Sequence, residues 1–147
     1  MKFSTRSIDL FSKGFNCAQS VFAGSAGDTG IEEKTALRLA SGFAAGLGYR
    51  GEMCGAVVGA YLAIGMKYGY SGAAEQEQKD HTYKLIAEFI SEFERRNGSV
   101  MCKKLTGYDL SDPNQLKEAR EKDVFREKCS KYIRDSAEIL EELLKDN

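Results

Sequence analysis

Four cysteines are the residues of this chain best suited to chemistry: Cys17, Cys54, Cys102 and Cys129. They lie 37, 48 and 27 residues apart, so no two of them form a C-x-x-C pair. This spacing excludes a zinc ribbon, a thioredoxin-type motif and a C-x-x-C-H haem attachment. Joint chemistry therefore requires a fold that brings the four thiols together. The alternative is that they are buried and serve only as small hydrophobic side chains.

Cys54 has the sequence surroundings of a reactive thiol. It follows a glycine-rich loop and begins a predicted helix, where free N–H groups and the helix dipole favour a thiolate. Arg50 is expected to add to this effect, and Gly55 lets a ligand or another backbone approach closely. Cys54 is therefore predicted to be the attacking thiolate of a redox dithiol. One of the other three cysteines would resolve the bond, and Cys17 is the second predicted catalytic residue.

The four thiolates could instead bind a metal, because soft sulfur ligands suit zinc, copper(I) and iron–sulfur clusters. Cys17 and Cys129 lie on or beside apolar helix faces and could converge, and Cys102 lies in a short segment between turns. A two-iron two-sulfur cluster or a zinc or copper ion is the predicted cofactor if one is bound. The residues predicted to border that cofactor are Gly51, Gly55 and Gly59. With a metal or cluster the protein would be an electron carrier. Without one, it would be a thiol–disulfide oxidoreductase or a redox sensor whose thiols cycle to disulfides, with three full pairings allowed.

Three segments together with Cys102 resemble the C_GCAxxG_C_C family: GFNCAQSVF, ASGFAAGLGYRGEMCGAVVGAYLAIGMKYG and CSKYIRDSAEILEELL. The family name writes its glycine motif as G-C-A-x-x-G. Here the corresponding residues 54–59 read C-G-A-V-V-G, with the first two letters exchanged. The resemblance covers nearly the whole chain and gives every cysteine a counterpart. It implies a redox role that is inferred from the cysteines, with the reaction undefined.

The hydrophobic pattern predicts one all-α domain over residues 1–147, a bundle of about six helices with a glycine-rich central helix. The central helix, residues 53–67, carries three glycines that each cost about 1 kcal/mol relative to alanine. Such a helix is reasonable if its backbone presses against a neighbour, and on this basis a homodimer is predicted. Two-residue alternation typical of strands is not found. The other helices are predicted from Ser4 or Ser7 to about Phe22, and over residues 32–45, 73–96, 100–105, 113–121 and 123–145.

Two weaker patterns have ordinary explanations. Gly46, Gly48 and Gly51 match G-x-G-x-x-G, but a dinucleotide site needs a preceding strand and an acidic residue about 20 positions later. Here a helix is predicted before the glycines, and position 71 is serine. The single histidine, His81, is predicted to be solvated on a polar helix face. This weakens the case for a cysteine hydrolase, which needs a histidine partner.

Composition limits the partners and the location that the sequence predicts. The net charge of −1 gives no basic excess, so nucleic acid is not expected as a partner. Residues 1–15 lack the apolar core of a signal peptide, and the apolar stretch 53–66 is too short to cross a bilayer. We expect a cytoplasmic protein without membrane insertion, with reduced cysteines and an unidentified redox partner.

Overall fold

Helices form nearly all of the regular structure in the computed structural model, which describes residues 2–145. The predicted all-α class is confirmed, but the described residues form eight α-helices rather than about six. The segment Ala44–Leu47 is not counted, because Ala45 and Gly46 within it have left-handed dihedrals. The β-type contact among them is a single isolated bridge between Met53 and Met101. No described helix combines the length and the apolar character needed to span a membrane. The helices are α1 Phe3–Ser12, α2 Cys17–Ser25, α3 Glu33–Ala40, α4 Gly55–Tyr68, α5 Gln76–Asn97, α6 Cys102–Thr106, α7 Pro113–Glu121 and α8 Ser130–Leu143.

The first predicted helix is in fact two helices, α1 and α2. Gly14 interrupts it with a φ of +104°, which a right-handed helix cannot contain. Asn16 then caps α2: its side chain accepts a hydrogen bond from the Gln19 N–H, and the Gln19 side chain accepts one from the Asn16 N–H. The prediction of one helix to Phe22 was wrong because the apolar spacing continues through the break. The break makes Cys17 the first residue of α2.

The second predicted helix was too long, because α3 ends at Ala40 and a left-handed turn follows. Residues 45–49 all have positive φ, and three of them are not glycine. Each non-glycine residue in this conformation costs about 1–2 kcal/mol. Backbone hydrogen bonds hold the turn, from the Gly48 N–H to the Ala44 carbonyl at 2.8 Å and from the Glu52 N–H to the Gly46 carbonyl at 2.9 Å. The non-glycine residues are Ala45, Leu47 and Tyr49.

The glycine-rich helix α4 presses its backbone against α2, as the sequence predicts. A Cβ added at Gly59 would lie 2.8 Å from the Ala18 carbonyl oxygen and 3.0 Å from the Val21 Cβ. Gly65, on the same helix, faces open space. The close packing that suggested a homodimer is therefore used within one chain at Gly59. The core around this crossing includes the fully buried residues Phe22, Ile64, Phe89, Phe93, Ile133 and Leu140.

Candidate thiol site

All four cysteines line one small cavity of about 20 Å³, called the cysteine cavity below. A space of this size holds about one water molecule. All four are free thiols; Cys54 and Cys102 are buried, whereas Cys17 and Cys129 are half-buried. The fold thus gathers into one site four residues that are scattered along the sequence. The remaining lining residues are Ala45, Gly46, Gly55, Leu105, Thr106, Phe125 and Tyr132.

Three of the cysteines lie at helix N-termini. Cys17 and Cys102 are the first residues of α2 and α6, and Cys54 is the N-cap of α4. The Cys54 N–H donates to the Val100 carbonyl at 2.8 Å, and the Cys102 N–H donates to the Glu52 carbonyl at 2.6 Å. These two bonds flank the isolated bridge and fix the starts of α4 and α6 side by side. Helix N-termini present unpaired N–H groups and positive dipole ends, which favour anionic sulfur.

Cys129 is positioned by a rare backbone feature. It ends a π-helical turn, Phe125–Cys129, which runs directly into α8. The sequence predicts an uninterrupted helix over residues 123–145, and this is corrected by the π turn and by the φ of +56° at Asp123. Such turns add a residue to a helical turn and occur mostly at functional sites. The extra residue changes the direction in which Cys129 points relative to the face that α8 buries.

Tyr132 is a site residue that the sequence analysis did not single out. It lines the cysteine cavity, and its hydroxyl donates to the Leu105 carbonyl at 2.7 Å, which ties α8 to α6. Its ring also lies 6.3 Å, between centroids, from that of the core residue Phe93. The spacing from Cys129 was the available signal, because residues three apart share a helix face.

Backbone N–H groups surround the Cys17 sulfur. Burial raises the pKa of this thiol, and the N–H groups of Ala45, Ala18 and Gly55, which are directed at the sulfur, partly offset the rise. Ala45 supplies its N–H from the left-handed turn, so the strained backbone contributes directly to the site. Gly55 must be a glycine here, because a Cβ at this position would overlap the Cys17 sulfur. The Cys54 sulfur is approached by the N–H groups of Ala56 and Val57 in the first turn of α4.

Burial nevertheless raises the pKa of all four thiols above the usual range. Burial raises the pKa of Cys54 most strongly, and repulsion from the Cys17 and Cys129 thiolates adds to it. Burial raises the pKa of Cys102 to about 11. No lysine, arginine or histidine lines the cavity among the described residues, and Arg50 is exposed outside it. The metal-free site is therefore a cluster of protonated thiols at neutral pH.

The raised thiol pKa values predict that the metal-free protein loses stability in alkali. A group whose pKa is higher in the folded state stabilises the fold below its unfolded pKa, and this contribution disappears as the pH rises through the folded value. The unfolded thiol value is about 8.5, and Cys102 titrates at about 11 in the fold. We expect the free energy of unfolding to fall across this window in urea titrations under reducing conditions. Cys102→Ser should show a shallower fall, and identical curves for the two proteins would contradict the prediction.

Of the three glycines predicted to border a cofactor, only one lines the cysteine cavity. Gly55 lines the cavity, whereas Gly59 lies at the α2–α4 crossing. Gly51 packs against the Lys103 side chain, and a Cβ added to Gly51 would lie 2.9 Å from the Lys103 Cε. Gly51 does not line the cavity. Gly46 is the glycine of the G-x-G-x-x-G pattern that does line it. This pattern forms the left-handed turn after a helix and is not a phosphate loop after a strand. His81 is exposed, with an edge-on ring contact to Tyr68.

A larger and more open pocket adjoins the cysteine cavity and is called the outer pocket below. It has a volume of about 140 Å³. Cys17 and Cys129 line both spaces, whereas Cys54 and Cys102 line only the inner one. The outer pocket is therefore the side from which solvent reaches the thiols. Its other lining residues are Phe11, Asn16, Ala44, Ala45, Tyr49, Arg120 and Phe125.

The fold and the cavity define a small all-α protein with a four-thiol site. The chain belongs to the family whose model is described as "Putative redox-active protein (C_GCAxxG_C_C)", which matches residues 15–143 and so includes all four cysteines. The resemblance found in the sequence is thereby confirmed. No curated protein and no solved structure matches the chain.

Proposed function

We propose that this protein is a redox-active carrier whose four cysteines together hold a metal centre. The observation that carries the proposal is the convergence of Cys17, Cys54, Cys102 and Cys129 on one cavity from four separate segments. A redox role, as the family description implies, favours an iron–sulfur cluster or a copper ion. Zinc in the same site would be structural, because it has no redox chemistry.

The donor set fits a soft metal. The cavity is lined by four sulfur atoms, and no histidine or carboxylate lines it among the described residues. A bound metal would supply the positive charge that the cavity walls lack and would displace the thiol protons. The N–H groups directed at Cys17 and Cys54 would donate hydrogen bonds to the ligating sulfurs. Such bonds are one of the means by which proteins set the reduction potential of a cluster.

The spacing of the thiols indicates that binding requires local movement. Across residues 2–145, no three His, Cys, Asp or Glu side chains lie close enough together to hold a metal ion. The four sulfurs must therefore rotate toward the cavity centre. A single ion needs little more room than the cavity of about 20 Å³ offers, whereas a cluster requires it to widen. The left-handed turn and the π turn border the cavity and are the irregular segments able to adjust.

The proposal is tested by the metal content of protein purified without oxygen. We expect iron or copper near stoichiometry in the wild-type protein and a large loss in each of the four Cys→Ser variants. The matched control is Ser130→Ala, since Ser130 follows Cys129 directly and does not line the cavity. Full metal occupancy in all four cysteine variants would refute a shared site. Absence of metal from freshly purified and from reconstituted wild-type protein would refute the metal centre itself.

A thiol–disulfide exchange protein is the second candidate, and the outer pocket is the observation that favours it. Cys17 and Cys129 face this pocket, so they are the thiols that an external disulfide meets first. Burial of Cys54 makes it a poor attacking thiolate at neutral pH, contrary to the role the sequence suggested. An external disulfide would then oxidise the metal-free protein: it takes two hydrogens and becomes two thiols, while Cys17 and Cys129 become linked by a disulfide. Four unmodified thiols after oxidation would indicate inert core cysteines.

The proposed function also implies a cellular compartment and a redox partner. Free thiols persist in a reducing compartment, so we place the protein in the cytoplasm. The redox partner that exchanges electrons with the centre is unidentified. A homodimer would have to use surfaces other than the glycines already packed within the chain, and Gly65 is the α4 glycine left facing open space.

A further inference from the structure

The outer pocket, unlike the cysteine cavity, has a charged side chain among its lining residues. Arg120, on α7, is the one charged residue that lines the pocket among those the structure describes. Its guanidinium carbon lies 5.7 Å from the centroid of the Tyr49 ring. Arg120 takes part in none of the ion pairs found within residues 2–145. The guanidinium is thus held over an aromatic ring at the mouth of the pocket, with its hydrogen-bonding edge uncommitted.

The shape and the walls of the pocket limit what can bind there. Phe11 and Phe125 give it apolar sides, and a volume of about 140 Å³ admits only a small molecule. A guanidinium presents paired N–H donors that match the two oxygens of a carboxylate. Small-molecule sites typically combine apolar walls with a few polar groups of this kind. The pocket therefore suits a short organic chain that ends in a carboxylate.

We propose that the outer pocket binds a small organic carboxylate, with its charged end at Arg120 and its apolar part beside Cys17 and Cys129. A molecule bound there would lie between the solvent and the cysteine cavity. It would control which reagents reach the thiols. This inference deepens the proposed function, on which it rests, because the two thiols that face the pocket are also members of the proposed metal site.

The proposal is tested by alkylation of the reduced, metal-free protein with two reagents of similar size. Iodoacetate carries a carboxylate and iodoacetamide is neutral. With either reagent a sulfur–carbon bond forms, iodide leaves with the electron pair of the carbon–iodine bond, and the thiol proton passes to solvent. Peptide mass spectrometry gives the rate at each cysteine. We expect the ratio of the iodoacetate rate to the iodoacetamide rate to be higher at Cys17 and Cys129 than for free cysteine in the same buffer.

Arg120→Gln isolates the contribution of the guanidinium. Because one screened unit charge acts within the pocket, this variant should lower the rate ratio at both cysteines by about three- to tenfold. Lys117→Gln is the matched control: it removes the same charge from an exposed position on the same helix and does not line the pocket. It should leave the ratio unchanged. Circular dichroism of both variants checks that the helices are retained, as expected for exposed positions.

Three results would overturn the proposal. The first is an equal rate ratio in the wild-type protein and Arg120→Gln. The second is an equal loss in Lys117→Gln, which would show a general charge effect. The third is faster alkylation of Cys54 or Cys102 than of Cys17 and Cys129. Because the assay uses metal-free protein, its outcome is independent of whether a metal centre forms, so failure of one proposal can be distinguished from failure of the other.

Discussion

Substitution of Gly55 by alanine is expected to abolish metal binding and to lower the free energy of unfolding by about 1–3 kcal/mol, the usual cost of overpacking. The added Cβ would overlap the Cys17 sulfur and would lie 3.1 Å from the Ala44 Cα and 3.2 Å from the Phe43 carbonyl oxygen. Two of these neighbours are backbone atoms, so the strain must move Cys17 away from the cavity. Urea denaturation and metal analysis of the purified variant give the two quantities.

Gly65→Ala is the control for this substitution because it makes the same change on the same helix. An added Cβ at Gly65 meets no atom within 4 Å. This variant should gain up to about 1 kcal/mol from the better helix propensity of alanine, with metal content unchanged. If Gly55→Ala were as stable as the wild-type protein and bound as much metal, the contact between Gly55 and Cys17 would have no functional importance.

The affinity of the four-cysteine site for metal is expected to rise steeply with pH. Burial raises the thiol pKa values, so the four thiols are protonated at neutral pH and must lose their protons when a metal binds. Each displaced proton changes the apparent affinity about tenfold per pH unit, so four protons give up to about 10⁴-fold. Titration against a competing chelator between about pH 6 and pH 8, below the thiol pKa values, measures this slope.

A cysteine variant provides the comparison for the pH dependence. Cys129→Ser should bind the metal more weakly. The slope of log affinity against pH should also be lower by about one, because one fewer thiol proton is released. Ser130→Ala, which changes an adjacent uncharged residue outside the cavity, should keep the wild-type slope. A wild-type slope near zero would mean either that the thiols are not the ligands or that they are already ionised in the free protein.

Elements with a regular apolar repeat and clear end signals could be predicted from the sequence. The helix α7, Pro113–Glu121, was predicted with its observed bounds, because Asp112 is a capping residue and Pro113 suits a first helical position. The end of α5 was also predicted, since Asn97 is followed by Gly98 in the left-handed conformation. The close approach of α4 to its neighbour followed from its glycines.

The segments that shape the site are the ones that apolar periodicity could not reveal. Ala45 and Tyr49 adopt positive φ although their side chains disfavour it, so only the surrounding tertiary structure can impose the left-handed turn. The π turn before α8 depends on one extra residue within an otherwise continuous helical pattern. The break at Gly14 does carry a local signal, because Asn16 and Gln19 have capping-box spacing. The break was concealed because Phe11 and Phe15, on either side of Gly14, have the spacing of a continuous apolar helix face.

The cysteines of the site could be predicted from the sequence, but their pKa values could not, because these depend on the fold. Four cysteines in one chain suggested a shared thiol site, and the predicted helix start at Cys54 suggested a lowered pKa. The helix start is present, yet burial and the neighbouring thiols outweigh the N–H groups, so the pKa of Cys54 rises. Burial depth is set by elements distant in sequence, and no local pattern around Cys54 could indicate it.

X-ray absorption spectroscopy at the metal edge is the sharpest test for a centre shared by the four cysteines, because it counts the sulfur atoms bound to the metal. For protein purified without oxygen, we expect four sulfur neighbours at about 2.3 Å around each metal atom and no nitrogen or oxygen ligand from the protein. A Cys→Ser variant that retains metal should lose one sulfur neighbour if the centre is a single ion, or about half a neighbour per iron if it is a two-iron two-sulfur cluster. Two or fewer sulfur neighbours in the wild-type protein would contradict a centre shared by Cys17, Cys54, Cys102 and Cys129.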